Sequence, residues 1–174
     1  MPGPTTHRIG NRNHLAVEFT FLMELPRVWN EQRGSLLLWI DGRPVGNPEE
    51  IEMISIGLGS LWESAEDTAN CSGVEFEGNS PAEALDRVME ARYGDSEKPD
   101  DLQIERYEVL PLWTGPSFDG WEAILIPEGG LERFIFRQGT ESAHEARWER
   151  GTFLRVVTEA RSQFEASARS AIER

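Results

Sequence analysis

"GSLLLWIDGRPVGN", residues 34–47, is the stretch on which the fold turns. Five apolar residues, Leu36 to Ile40, run without a break into Asp41-Gly42. A short apolar run bounded by glycine and a turn pair reads as a central strand, buried on both faces. Asp-Gly is a strong tight-turn signal, because both central positions of the favoured hairpin turn need a positive φ. Two uses of such a stretch compete. A strand feeding a glycine turn and a helix can cradle phosphate; the same strand can be framework in a protein-binding domain. Gly42 and Gly46 do not make G-x-G-x-x-G, since Arg43-Pro44 intervene and no second close glycine precedes a helix. There is no G-x-x-x-x-G-K-[ST], and the only lysine, Lys98, lies in an acidic segment. The glycines are turn residues.

Upstream, "LAVEFTFLMEL" (15–25) alternates: Leu15, Val17, Phe19, Phe21, Met23 and Leu25 share one face, and Pro26 closes the strand. Downstream, Asn47 and Pro48 read as the cap and first position of a helix over 48–65, with Ile51, Ile54, Leu58, Leu61 and Trp62 at helical spacing. Gly57 and Gly59 weaken that helix, leaving a strand through Ile54, Ile56 and Leu58 as the alternative. Residues 66–79 read as a polar loop. Ser80, Pro81 and Glu83 spell a capping box for a helix that Gly94 ends, near 80–93. "DSEKPDD" reads as an acidic loop, and "LQIERYEVLPLW" (102–113) as a strand up to Pro111. "GWEAILIPEGGLERFIFRQG" (120–139) is a hairpin around Glu128-Gly129-Gly130, "HEARWER" one more strand, and the last 22 residues an amphipathic helix over about 152–172. Its stripe is Phe153, Val156, Val157, Ala160, Phe164, Ala168 and Ile172. The expectation is a single α+β domain over 1–174, with an antiparallel sheet of about five or six strands and about three helices. Residues 1–13 are expected to be irregular. Phe19, Phe21, Leu37, Trp39, Leu85 and Val157 are the expected core; Trp29, in a link, is the tryptophan expected to be exposed.

Charge is unevenly placed. The net charge is −14, and residues 41–101 hold sixteen acidic side chains against four basic ones. That segment repels nucleic acid and attracts a basic partner; solubility alone is the competing explanation. Cys71 is the single cysteine, so neither an intrachain disulfide nor a thiolate zinc site can form. The first residues lack a signal peptide's apolar core, and no run suits a membrane span. A cytoplasmic protein is expected, with no membrane partner. Its oligomeric state is not legible.

No catalytic constellation emerges. His7, His14 and His144 lack metal-ligand spacing, and Cys71 has no nearby histidine. Carboxylate pairs are too abundant to mean anything by spacing alone; a hydrolase would need two in an apolar cleft with separated pKa values. No catalytic residue, metal or cofactor is assigned.

"HLAVEFTFL", "GSLLLWIDGRPVGN", "GLGSLWESA", "FDGWEAILIPEGGLERFIFR" and "GTFLRVVTEA" together resemble the bacterial immunity protein 42 family over roughly residues 9–165. The resemblance implies a cytoplasmic protein that binds and blocks a cognate polymorphic-toxin domain, and it carries over no catalytic residues. The acidity suits a basic toxin. The expected partner-facing residues are Glu63, Glu66, Asp67, Glu75 and Glu77 around the first long loop, and Asp95, Glu97, Asp100 and Asp101 in the second, with Trp62 as an aromatic neighbour. Two alternatives remain: a carboxylate-using hydrolase, and an adaptor that docks through the C-terminal helix.

Overall fold

The computed structural model describes residues 4–22, 32–95, 98–111 and 114–172. Met23, Leu25, Pro26, Trp29, Glu97 and Trp113 therefore lie outside the described residues, as does the side chain of Ile172. The chain is α+β with antiparallel strands throughout, and it forms two compact units.

The first unit comprises residues 1–62, 112–119 and 155–174. Its sheet contains β1 (Thr6–Asn11), β2 (Leu15–Phe21), β3 (Arg33–Ile40) and β4 (Arg43–Val45) in that order, with β5 (Glu52–Met53) also on β3. The β2–β3 register places Leu15 opposite Ile40, Val17 opposite Leu38 and Phe19 opposite Leu36. These side chains share one face and are buried. Phe164, from the helix α4 (Thr152–Ile172), closes that face, with ring centroids 6.0 Å from Phe19 and 5.8 Å from Phe21. Asp41 and Gly42 both have positive φ, 47° and 79°, and Ile40 pairs with Arg43. The stretch that opened the reading is thus a central strand and a two-residue hairpin turn into β4.

Trp39 corrects the expected core. It lies on the opposite face, across from Ala16, and is half-buried, with the Arg12 guanidinium 4.0 Å over its ring. Phe19, Phe21, Leu37, Leu85 and Val157 are buried as expected.

The stretch 1–13, expected to be irregular, holds a strand. Residues 6–11 form the edge strand β1, whose mostly exposed polar residues hide the strand period. The helix expected over 48–65 is α1 (Ile54–Ala69). Asn47 caps only a turn, its Oδ1 accepting from Glu49 N at 3.0 Å, because β5 pairs with β3 before the helix can begin. Gly57 fits inside α1 for a packing reason: a Cβ there would fall 2.6 Å from Leu36 Cδ2.

The second unit comprises residues 63–111 and 120–154. Its sheet is β6 (Trp121–Glu128), β7 (Leu131–Gln138) and β8 (His144–Glu149), joined as expected by the Gly129-Gly130 turn. The strands therefore divide between two sheets where one was expected. Ile124, Ile126 and Ile135 pack with Phe76, Leu85, Val88, Ile104 and Tyr107. On the other face Phe134 meets Trp148 and Phe153, at 5.8 and 5.2 Å between centroids. Burial on both faces explains the unbroken runs in β6 and β7.

α2 (Pro81–Tyr93) begins at the capping box read from sequence: Ser80 N donates to Glu83 Oε2 at 2.8 Å, and Ser80 Oγ accepts from Glu83 N at 3.4 Å. The strand expected from 102 up to Pro111 is instead the short helix α3 (Asp101–Ile104), a 3₁₀ turn (Glu105–Tyr107) and a single bridge from Glu108 to Ile124. Ile104 and Tyr107 are buried three apart, a helical spacing, while Leu102 is 75% exposed. The loop expected over 66–79 starts late, because α1 continues to Ala69. Its inward residues there are the small Ala65 and Thr68, which give a weak apolar stripe.

Candidate partner-binding surface

α1 ends in the sequence ESAEDTA, and its two sides differ in chemistry. Ala65 and Thr68 are buried; Glu63, Glu66 and Asp67 are exposed. Spacings of three and four put those carboxylates on one helical face. The helix has no basic residue in its own last turn. Distant residues satisfy that end: Arg150 donates to Ala69 O and Cys71 O at 3.1 Å each, and Arg106 to Asp67 O at 3.4 Å. Thr68 Oγ1 donates to Arg106 O at 3.0 Å. The acidic face therefore rests on a tied-down helix.

The chain then passes through Gly73 and a 3₁₀ turn, Val74–Phe76. Gly73 N donates to Tyr107 Oη at 3.0 Å, and that hydroxyl donates to Glu75 Oε2 at 2.9 Å. Burial first, and the Glu75 carboxylate as well, push the Tyr107 pKa well above its ordinary value, so the phenol keeps its proton. Glu75 is thus half-buried and committed, whereas Glu77 is exposed. Burial also raises the Cys71 pKa, which keeps the thiol protonated and poorly nucleophilic.

In the second expected group, Asp95 and Asp100 are exposed, and Asp101 Oδ2 accepts from Lys98 N at 2.7 Å. Glu97 lies outside the described residues. Among the described residues Glu63, Glu66, Asp67, Glu77, Asp95 and Asp100 form no ion pair. Many acids elsewhere do. Glu145 meets Arg133 at 2.8 Å and also Arg147; Glu122 meets Arg137 at 2.5 Å; Glu105 meets Arg92 at 2.8 Å. Burial alone would raise the Glu18 pKa, but Arg8 and Arg12 outweigh it and hold it below the usual carboxylate value. Trp62, the expected aromatic neighbour, is half-buried with the Arg161 guanidinium 4.8 Å over its ring.

Two buried carboxylates were not legible as such. Glu132 is buried and accepts from Trp148 Nε1, Gly151 N and Phe153 N at 2.5, 2.8 and 2.7 Å, so it caps the start of α4. Glu52 is 6% exposed, and neither of its oxygens has a hydrogen-bond partner in good geometry. Burial, and the Asp119 charge as a smaller cause, raise its pKa to about 7 against the pull of Ser117. A Cβ on Gly115 would fall 1.6 Å from Glu52 Oε2, so the carboxyl is sealed beneath that backbone. Among the described residues no group of three His, Cys, Asp or Glu could hold a metal ion, and no helix is long and apolar enough to cross a membrane.

The antiparallel α+β scaffold thus commits Glu132 to structure and leaves Glu63, Glu66 and Asp67 exposed on a tied helix. A family model described as immunity protein 42 matches residues 7–163, and the chain belongs to that family. The fold is similar to that in the crystal structure of CdiI from Burkholderia dolosa AUO158, with a TM-score of 0.66 and 16% sequence identity, covering 90% of this chain and 99% of that one. The curated proteins offer no match.

Proposed function

We propose that this protein binds a cognate bacterial toxin domain and neutralises it by direct contact, without catalysis of its own. The observation that carries the reading is the unpaired acidic face of α1. Glu63, Glu66 and Asp67 point to solvent from a helix whose end is fixed by Arg106 and Arg150. Like charges held together repel one another, and a basic partner relieves that repulsion. Glu77, Asp95, Asp100 and Asp101 extend the same sign of charge, and Glu75 contributes less because Tyr107 holds it. Membership of the immunity protein 42 family supplies the class of partner. A toxin domain that acts on nucleic acid would carry the complementary positive charge. The encounter takes place in the cytoplasm, where a single free thiol is stable. The family match runs through both compact units, which supports one immunity domain across the chain.

The two alternatives fare worse. A hydrolase would need its high-pKa carboxyl open to substrate, and Glu52 is sealed. An adaptor docking through the C-terminal helix needs an exposed apolar stripe, and Phe153, Val157 and Phe164 are at most 1% exposed.

The test is protection. The chain is expressed with the toxin domain encoded beside its gene, and growth is followed alongside gel filtration of the purified pair. Rescue of growth with co-elution is expected. Rescue without a complex, or a complex that leaves the toxin active, would overturn the proposal.

A further inference from the structure

α2 buries Ala84, Leu85 and Val88 in the core of the second unit and turns its opposite face to solvent. There Asp86, Met89, Glu90 and Tyr93 recur at helical spacing, and with Gly94 they line an open groove of about 380 Å³. Two of them make an apolar floor. Met89 packs partly against the core, and Tyr93 is 46% exposed. The Tyr93 hydroxyl donates to Oε1 of the buried Glu108 at 2.6 Å, which holds the ring in place. The other two supply negative charge. Glu90 is exposed and forms no ion pair among the described residues. Gly94 leaves room for its carboxylate, since a Cβ there would fall 2.7 Å from Glu90 Oε1. The cations nearby are held elsewhere. Arg137 joins Asp86 and Glu122 at 2.7 and 2.5 Å, and Arg92 meets Glu105 and Glu108 at 2.8 and 3.4 Å. Arg87 donates to Glu75 O, with its guanidinium 5.4 Å from the Phe76 ring. None of these three lines the groove, and neither does Lys98. Even with Arg137 counted, the carboxylates outnumber it.

An acidic side chain is repelled from such a groove, and a purely apolar one would strip water from the Glu90 carboxylate and give nothing back. A cation on an apolar stem suits both halves. A guanidinium suits them better than an ammonium, because its plane stacks on an aromatic face and its N–H groups fork onto a carboxylate. We propose that this groove receives one arginine side chain of the toxin, its stem along Met89 and its guanidinium between the Tyr93 ring and the Glu90 carboxylate. The inference rests on the proposed toxin-binding role and adds a division of labour. The exposed face of α1 governs association and its salt dependence; the arginine seated on α2 governs dissociation.

The experiment uses the full chain and the toxin domain encoded beside its gene, in an inactivated form. Glu90→Gln keeps the shape of the side chain and removes its charge. It should speed dissociation about tenfold, the scale of one charge-assisted hydrogen bond. Glu141→Gln removes the same charge from an exposed bend outside the groove and should leave dissociation unchanged. A second measurement needs no variant: on binding, the Met89 methyl resonance should shift and show contacts to the side-chain methylenes of a toxin arginine. Normal dissociation of Glu90→Gln, an equal effect of Glu141→Gln, or a Met89 methyl that meets no arginine overturns the groove; slower association on charge reversal at Glu66 and Asp67 would then still uphold the acidic face. Failure of the wild-type chain to bind overturns both readings.

Discussion

Replacing Glu52 with glutamine should stabilise the protein at neutral and alkaline pH and flatten its stability profile. The carboxyl is 6% exposed, lacks hydrogen-bond partners in good geometry and titrates at about 7 in the fold against 4.5 in the unfolded chain. A folded pKa above the unfolded one means that the native state binds the proton more tightly. The neutral acid is therefore tolerated below pH 4.5. Stability then falls as pH rises from 4.5 to about 7, and the full penalty persists above that. At 1.36 kcal/mol per pKa unit the penalty is at most about 3 kcal/mol. His7 acts with the opposite sign. Burial lowers its pKa, so it opposes folding as pH falls, and the wild-type profile alone mixes the two effects. The informative quantity is the difference between wild type and Glu52→Gln. Urea denaturation at pH 5, 6, 7 and 8 should show that difference growing in favour of the variant and levelling off above pH 7. Parallel profiles would refute the reasoning, and would mean that Glu52 is solvated or paired.

Other consequences are simpler. Ser80→Ala removes the box at the start of α2 and should cost about 1 kcal/mol in denaturant midpoint experiments. Glu132→Ala leaves the Trp148, Gly151 and Phe153 N–H groups without their acceptor and should cost about 3 kcal/mol or more; a loss under 1 kcal/mol would show that water replaces the carboxylate. Trp39→Ala should cost about 2 kcal/mol rather than the 3–5 kcal/mol of a fully packed aromatic, because the side chain is half-buried with the Arg12 guanidinium over its ring. Arg12→Ala should then redden Trp39 fluorescence.

Strong local signals carried most of the fold in the sequence. The alternation of 15–21, the Asp41-Gly42 turn, the Ser80 box and the Gly129-Gly130 hairpin each act within a few residues, and each appears where expected. What escaped depends on partners distant in sequence. Asn47-Pro48 is a sound helix start locally, but pairing of Glu52 with Gly34 delays α1 to Ile54. An edge strand such as β1 has little apolar period to show, because most of its side chains face water. Residues 102–107 look alternating until Tyr107 and Ile104 turn inward together. For the surface, the concentration of acid was visible as composition. Which carboxylates lie bare was not, since that depends on partners distant in sequence: Tyr107, 32 positions on, ties up Glu75.

The acidic face of α1 is the centre of this account, and stopped-flow association with the inactivated toxin domain tests it most directly. Wild type is compared with the Glu63→Lys, Glu66→Lys, Asp67→Lys triple variant at low and high ionic strength. All three residues are exposed and form no ion pair among the described residues, so the fold should tolerate the change. Wild-type association should fall steeply with salt, and the variant should associate at least tenfold more slowly at low salt with a much shallower dependence. Equal rates and equal salt slopes for the two proteins would contradict the account and leave the negative charge with solubility as its only role.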